Sequence, residues 1–510
     1  MKATSALFCA FLALAFACKD QPQTTAEKPK QEETTPKTYE EDWASLGKHQ
    51  EAPQWFKDAK LGIYFHWGLY SVPAYGSEWY PRWMHFKDHK VYKHHVEKYG
   101  EPSEFGYHDF APMFTAEHFN AGEWAKLFKA AGAKFAGPVA EHHDGFAMWD
   151  SKLTPWDVMD TGPKKDITGL LEKAIRAEGM KLITTFHHSK NLQRSTEIGK
   201  QVENSHFPYF ENMPPSSPDP ELQLMYGNMD PEKWYRDIWT GKLKEVIDNY
   251  HPDIIWFDYV LGDIPEKYRK EFAAYYLNAA QAKGQEVVIV RKQHDLPQNL
   301  SIEDLEQSRK NQIGTKTWMT DATISDGSWG YTENLGVKEA KDVLHMLIDI
   351  TSKNGVLLLN ISPKADGTIP DNQRQALLEI GRWLHTYGDA IYGTEAWYTF
   401  GEGPTKEPEG HFKNHKAFMK LKYSNKDIRY TTKDYDINAI VLGPLESDSE
   451  LVLKAFAEEQ IKDGVSITKV SVLGSDEEIT WKLTEEGLVI HTPKTSPETM
   501  ANVIKVTIEQ

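Results

Sequence analysis

The sequence predicts an α/β protein built as a (β/α) TIM-like barrel catalytic domain followed by a C-terminal antiparallel β-sandwich. Between about Lys60 and Asp389, short apolar runs of β type alternate with segments of helical period, as repeated βα units around a parallel sheet should. After about Trp397 the helical period disappears and short β runs continue alone. The chain has 510 residues, 40% of them hydrophobic and 12% aromatic, enough for one large barrel of about 250 residues and a smaller second domain. Periodicity does not distinguish a closed sheet from a doubly wound open one, so the open sheet stays as the alternative. No glycine-rich phosphate loop follows an early strand, which argues against nucleotide binding.

In chain order, Met1-Lys2 and the apolar run Leu7 to Ala17 have the charged start and apolar core of a secretory signal, too short to span a bilayer as a mature helix. Residues 1–17 are expected to be removed. The run ends Leu14-Ala15-Phe16-Ala17-Cys18, which resembles a bacterial lipobox, so Cys18 is expected to become the lipid anchor of an exported lipoprotein at the outer membrane or periplasmic face. An ordinary signal leaving a secreted or periplasmic soluble protein is the alternative. Residues 19–40 are rich in Thr, Gln, Glu, Lys and Pro and cannot bury enough surface to fold. The expected divisions are thus an anchor and tether over 18–40, a barrel over 41–395 and a sandwich over 396–510. Cys9 and Cys18 are the two cysteines of the chain, so its body holds no disulfide framework or cysteine metal site. A formal charge of −17 argues against nucleic acid as a partner.

The strands expected in the barrel are Leu61 to Phe65, Phe135 to Ala140, Lys181 to Phe186, Asp253 to Phe257, Val287 to Val290 and Val356 to Asn360, continuous apolar runs suited to strands covered on both faces. Among the helices between them, Asp166 can cap one whose Ile167, Leu170, Leu171, Ala174 and Ile175 repeat at helical spacing, with Gly179 as a stop. The same period recurs in Val343, Met346, Leu347 and Ile350, and in Leu377, Ile380 and Leu384. Beyond Trp397, Ala439 to Leu442, Leu451 to Leu453 and Val503 to Thr507 read as strands of the second domain.

In a barrel the chemistry gathers at the carboxyl ends of strands. The first run ends in His66-Trp67-Gly68, the second in Glu141-His142-His143-Asp144-Gly145, the third in His187-His188, the fourth in Asp258 and the fifth in Arg291. An unpaired buried polar group costs about 1–3 kcal/mol, so five such clusters imply a shared polar pocket. Aromatic residues accompany them, Trp79, Trp256 and Trp329 included. Aromatic plates beside His, Asp, Glu and Arg suit a sugar, which has an apolar C–H face and a rim of hydroxyls. A zinc hydrolase built on His66, His142, His143 and His187 or His188 is the competing reading. Adjacent His142 and His143 would point to opposite sides of an extended chain, and no His-x-His follows the first strand, so neither a metal nor another cofactor is expected.

These segments resemble glycoside hydrolase family 29, the retaining α-L-fucosidases. The resemblance rests on Trp55-Phe56, on Lys60 to Pro73 with Glu78-Trp79-Tyr80, on Glu141 to Phe146, on Trp256-Phe257-Asp258, and on Asn354 to Pro363 with Asp366-Gly367. It runs from about residue 40 to the C-terminus. It implies an exo-acting enzyme that removes terminal α-L-fucose from an oligosaccharide or polysaccharide by double displacement. It also implies Asp258 as nucleophile and a sugar-binding set of His66, Glu78, Trp79, His142, His143, Arg291 and Trp329, with Trp329 facing the fucose methyl.

Two positions depart from the pattern. His188 stands where some members carry tyrosine and is included with the expected sugar-binding residues. The segment that holds the acid/base Glu in one subgroup reads Trp318-Met319-Thr320-Asp321-Ala322-Thr323 here and contains no Glu. Glu306 is the expected acid/base, with Glu303 and Asp321 behind it, and Arg291 is expected to keep Asp258 ionised. A non-catalytic fucose- or glycan-binding lipoprotein of the same fold is the alternative function. The stretch Leu192 to Met229 is expected to be a long loop that shapes the pocket rim.

Overall fold

The computed structural model describes residues 39–510 apart from 199, 201–203, 409–416, 419, 458–465 and 510. The expected signal, Cys18 and nearly all of the tether therefore lie outside the described residues. Eight parallel strands form the first sheet: β1 (Leu61–Phe65), β2 (Phe135–Glu141), β3 (Lys181–Phe186), β4 (Ile254–Phe257), β5 (Val288–Arg291), β6 (Ile302–Glu303), β7 (Trp318–Thr323) and β8 (Gly355–Ile361). Their order is β6-β5-β4-β3-β2-β1-β8-β7. A single bridge, Asp304 to Met319, joins the β6 end to β7 among the described residues, so the sheet is a barrel closed except for a thin seam. The open-sheet alternative is thereby set aside. Apolar runs alone miss β6 and β7, the first because it is two residues long, the second because Thr320, Asp321 and Thr323 interrupt it.

Strand alternation sorts the barrel side chains. Tyr64, Ile183, Trp256, Val288, Val290, Met319, Val356 and Leu358 meet inside, while Phe65, Phe186, Phe257, Ile289, Leu357 and Leu359 pack outward into the larger core. This is the period of two that a pleated strand imposes. At β2 the register against β3 shifts between Val139 and Glu141. Such a bulge re-aims the side chains beyond it. Glu141 leaves the barrel interior and pairs with Lys242 of the helix Gly241–Tyr250 at 2.7 Å, both fully buried.

The helix Ile167–Ala177 starts as expected, with Asp166 accepting the Gly169 N–H at 2.9 Å. Its buried stripe is Ile167, Leu171 and Ile175; Leu170, one position off that stripe, is 42% exposed. The helices Ala340–Thr351 and Asp371–Tyr387 bury the apolar faces their spacing predicts. Among its described residues, the stretch Leu192 to Met229 contains a 3-10 turn, Pro214–Ser216, and a short helix, Pro220–Tyr226, started by Asp219 and Pro220.

Eight further strands follow: β9 (Glu395–Glu402), β10 (Ile428–Lys433), β11 (Asp436–Val441), β12 (Glu450–Leu453), β13 (Ser466–Val472), β14 (Thr480–Thr484), β15 (Gly487–His491) and β16 (Asn502–Glu509). They form antiparallel sheets of order β13-β16-β11-β10-β9 and β12-β15-β14 around a core that includes Tyr430, Phe456, Leu488, Ile490 and Val506. A buried ionic knot ties this domain to the barrel. Asp349, on the helix Ala340–Thr351, meets Lys353 at 2.9 Å, Arg429 of β10 at 2.6 Å and Arg309 at 3.5 Å. Together these cations hold its carboxyl well below the usual range against the opposing effect of burial.

Candidate active site

A cavity of about 220 Å³ opens at the carboxyl ends of the barrel strands, lined by His66, Glu78, Trp79, His142, His143, His187, Lys190, Asp258, Tyr259, Lys292, Glu306, Asp321 and Trp329. Alternation explains much of this set. Tyr64, Trp256, Val290 and Met319 point into the barrel, so His66, Asp258, Lys292 and Asp321, two residues further on, point the same way. The bulge in β2 and the turn after it bring His142 and His143 to the pocket together, their ring centroids 4.4 Å apart. That overturns the expectation that they diverge, which assumed an extended chain. Gly145 makes the turn with φ at 82°, and a Cβ there would lie 2.2 Å from the Met225 carbonyl.

Asp258 is the most heavily partnered carboxylate. His143 Nε2 lies 3.2 Å and His187 Nδ1 3.3 Å from its Oδ2, and Lys292 Nζ lies 3.0 Å from its Oδ1. Burial works to raise its pKa, and Lys292, His187 and His143 outweigh that and hold it well below the usual carboxylate range. It is held as an anion. Lys292 also reaches Glu306 Oε2 at 2.7 Å and Asp321 Oδ2 at 3.4 Å, and sits 4.8 Å from the Trp256 ring centroid. Burial would lower its pKa, but Asp258, Asp321 and Glu306 raise it well above the ordinary value. Since one ammonium touches both carboxylates, the Asp258 and Glu306 oxygens stand at most about 5.7 Å apart, the two distances laid end to end.

His66, His142 and His143 are held as neutral rings. Burial depresses His66 and His142 well below 6.5, and neighbouring imidazoles add to it; burial takes His143 to about 4 in spite of Asp258. His66 donates from Nδ1 to Asn360 Oδ1 at 2.8 Å, which leaves its Nε2 as an acceptor. His142 Nδ1 and His187 Nε2 are buried without a protein partner, as atoms meant for a ligand would be. Glu78 accepts from Ser328 Oγ and the Trp329 N–H, both at 3.0 Å, and so fixes the loop that carries Trp329 against the pocket.

Ligand atoms of His66, His142 and His187, and of His143, His187 and Asp258, lie within 4.8 Å of one another. The second group is already engaged around Asp258. The first could take either a metal or an array of sugar hydroxyls, which need the same lone pairs.

Two expected residues lie elsewhere. His188 points outward, with Nε2 3.3 Å from the Trp239 carbonyl and its ring stacked 5.9 Å from that of Trp239; burial and Lys242 bring its pKa to about 3. Arg291 also points out of the barrel and donates from Nη1 to the Gln293 carbonyl at 2.6 Å, so Lys292 and not Arg291 keeps Asp258 ionised. The reason is strand parity, since Phe186 and Ile289 already face outward. Of the acid/base alternatives, Glu303 pairs with Lys310 at 3.1 Å and does not line the cavity. Asp321 does line it, but is nearly fully buried and accepts the Tyr64 hydroxyl at 2.9 Å. Lys190, Tyr259 and Lys292 escaped the reading of the sequence, and His187, named there among the polar strand ends, was passed over for His188 in the sugar-binding set. For His187 and Lys292 the missing signal is parity counted from the apolar runs. Lys190, 4.9 Å from the ring centroids of both Trp79 and Tyr259, lies in the short 3-10 helix His188–Lys190 beyond β3, where no such count applies.

Residues 26–389 match the α-L-fucosidase family, and residues 422–508 match the α-L-fucosidase C-terminal domain. The chain is 30% identical over 485 residues to tissue α-L-fucosidase of Rattus norvegicus, covering 91% of this chain and 90% of that protein. It is 30% identical over 476 residues to plasma α-L-fucosidase of Homo sapiens, covering 89% and 88%. Among solved structures, that of Thermotoga maritima α-fucosidase in complex with fucose superposes with a TM-score of 0.72 at 29% identity, covering 92% of this chain and 100% of that one.

Proposed function

We propose that this chain, which belongs to the α-L-fucosidase family, is an exo-acting, retaining α-L-fucosidase with Asp258 as its nucleophile and Glu306 as its acid/base. The spacing of the two carboxylates carries this assignment. An oxygen–oxygen separation of at most about 5.7 Å admits the roughly 5–5.5 Å of retaining glycosidases and falls short of the roughly 6.5–9.5 Å across which inverting enzymes seat a water. A cavity of about 220 Å³, below the roughly 300–1,000 Å³ of drug-sized sites, holds one terminal sugar ring and not a chain.

In the first step Asp258 attacks the anomeric carbon. The bond to the aglycone oxygen breaks with its electron pair on that oxygen, which takes the proton of Glu306. In the second step water attacks the same carbon, gives its proton to Glu306 and returns the bonding pair to Asp258. The lone pairs of His66 and His142 accept from sugar hydroxyls, and Trp329 packs against the methyl group, an apolar contact of about 1 kcal/mol. The substrate is a fucosylated oligosaccharide or polysaccharide. A pocket with a nucleophile held ionised beside a second carboxylate is more than a binding site needs, which weighs against the non-catalytic alternative.

Turnover of an aryl α-L-fucoside with retained configuration is expected, together with its loss by several powers of ten in Asp258→Ala. An inverted product from the wild-type enzyme would refute the assignment. We also propose export with lipid attachment at Cys18, supported by the residues Leu14 to Cys18; no helix among the described residues is long and apolar enough to cross a membrane. Metabolic labelling with a fatty acid that is lost in Cys18→Ala tests it.

A further inference from the structure

We propose that Lys292 is a catalytic residue that changes partner in mid-reaction: it holds the charge of Asp258 while the fucosyl–enzyme bond forms, then that of Glu306 while water breaks it. The inference rests on the assignment of Asp258 and Glu306 and adds to it how the charge between them is carried.

Three carboxylates surround the Lys292 ammonium: Asp258 at 3.0 Å, Glu306 at 2.7 Å and Asp321 at 3.4 Å. The indole rings of Trp256 and Trp329 close its other sides at 4.8 and 6.0 Å, and His66 and His187 line the same cavity. Behind Asp321 lies Asp304, fully buried, and burial together with the neighbouring Asp321 holds its carboxyl well above the usual range. The Tyr64 hydroxyl fixes Asp321 by donating to it at 2.9 Å.

The first step requires Asp258 as the anion and Glu306 as the proton donor. When Asp258 bonds to the anomeric carbon it becomes a neutral ester. In the same step Glu306 gives its proton to the departing oxygen and becomes the anion. The negative charge has crossed from one carboxyl to the other, and both lie within reach of the same ammonium beforehand. No charged group has to travel and no water has to reorganise, the condition under which electrostatic stabilisation is most effective. In the second step the proton from water returns to Glu306, the bonding pair returns to Asp258, and the ammonium faces its first partner again.

The test separates the two partners by kinetic parameter. With an activated aryl fucoside, kcat/KM reports the free enzyme, hence Asp258. When fucosyl-enzyme breakdown limits turnover, which a pre-steady-state burst establishes, kcat reports that intermediate, hence Glu306 as base. An opposite charge at this range lowers a carboxyl pKa by about 1–3 units. Lys292→Met is therefore expected to move the acid limbs of both pH profiles upward by one unit or more. Movement of the kcat/KM limb alone would show that Lys292 serves only Asp258 and would overturn the proposal, as would no movement of either.

Lys292→Cys treated with 2-bromoethylamine, which rebuilds an ammonium of nearly the same reach, is the second variant. Wild type treated alike controls for Cys9 and Cys18. Both limbs are expected to return together, and return of one alone overturns the proposal. Glu306→Gln is run beside these on a substrate with a poor leaving group. If it loses nothing there, the acid/base assignment has failed independently of how Lys292 behaves.

Discussion

Replacing His187 and His188 one at a time by phenylalanine separates a pocket residue from a packing residue at adjacent positions. His187 donates from Nδ1 to Asp258 Oδ2 at 3.3 Å, and its Nε2 is buried without a protein partner. A hydrogen bond to an ionised group contributes about 1.5–3 kcal/mol. With about 1.4 kcal/mol per factor of ten, His187→Phe should lower kcat/KM roughly 10- to 150-fold from this bond alone, and further if Nε2 accepts a sugar hydroxyl. His188 is fully buried against Trp239 with one long bond to its carbonyl. Phenylalanine keeps that stack and gives up a neutral bond of about 0.5–1.5 kcal/mol, so His188→Phe should lower stability by about that much and leave kcat/KM within about twofold, set against the bond's own magnitude. The assay is kcat/KM on an aryl α-L-fucoside beside urea denaturation of each variant. A folded His188→Phe that loses tenfold or more in kcat/KM, with His187→Phe losing less, would refute the placement of both rings and the parity argument behind it.

Azide should rescue both carboxylate variants with opposite outcomes: Glu306→Ala gives α-L-fucosyl azide through the intact fucosyl-enzyme, whereas Asp258→Ala gives the β-azide by direct displacement, and product NMR reads which forms. Glu306→Ala should also lose about 10²–10⁴-fold on poor leaving groups, while Glu303→Gln, whose carboxylate pairs with Lys310 outside the cavity, should change little. Asp349→Asn should cost at most about 3–5 kcal/mol at neutral pH, because it removes the carboxylate that Lys353, Arg429 and Arg309 share and leaves Glu407, paired with Lys353 and 3.4 Å from Arg429, to face these buried cations. The Asp349 pKa is depressed in the fold, so its contribution is complete above the unfolded value near 4 and is lost as pH falls below it; the stability gap to wild type should close there in denaturation series. His66 and His142 are lowered by burial, so the unfolded chain takes up their protons first and stability falls as pH drops below about 6.5. His142→Gln should remove about 1.4 kcal/mol per pH unit of that slope below pH 6, read by denaturation at several pH values.

The barrel was legible where strands are continuous apolar runs and illegible at β6 and β7. There the pairing consists of two residues in one strand and a half-polar sequence in the other, and only neighbouring backbone makes them strands. The pocket was legible as a cluster of polar strand ends, and Asp258, His66, Trp79 and Trp329 all line it. What composition could not supply was direction. His187 against His188, and Lys292 against Arg291, differ by one residue in register, and one residue in a strand exchanges the inside of a barrel for the outside. Counting by twos from Val290 assigns Lys292 correctly. The same count along β2 from Val139 would place Glu141 inside, wrongly, because the bulge that turns it toward Lys242 leaves no mark in the sequence.

The seam between β6 and β7 bears on how this scaffold can diverge. Asp258 follows a strand paired on both sides, to β3 and β5, so an insertion near it would break two ladders at once. Glu306 lies on the connection from β6 to β7, where the Asp304–Met319 bridge and the Leu305 and Gln307 N–H bonds to the Met319 and Asp321 carbonyls, at 2.9 and 2.8 Å, span the gap. Beyond these few bonds the connection can lengthen, shorten or re-thread at little cost to strand pairing. The floor of the pocket around Asp258 is thus under strong architectural constraint. Its rim beyond Glu306 is freer to drift, and with it the range of aglycones that descendants of this barrel accept.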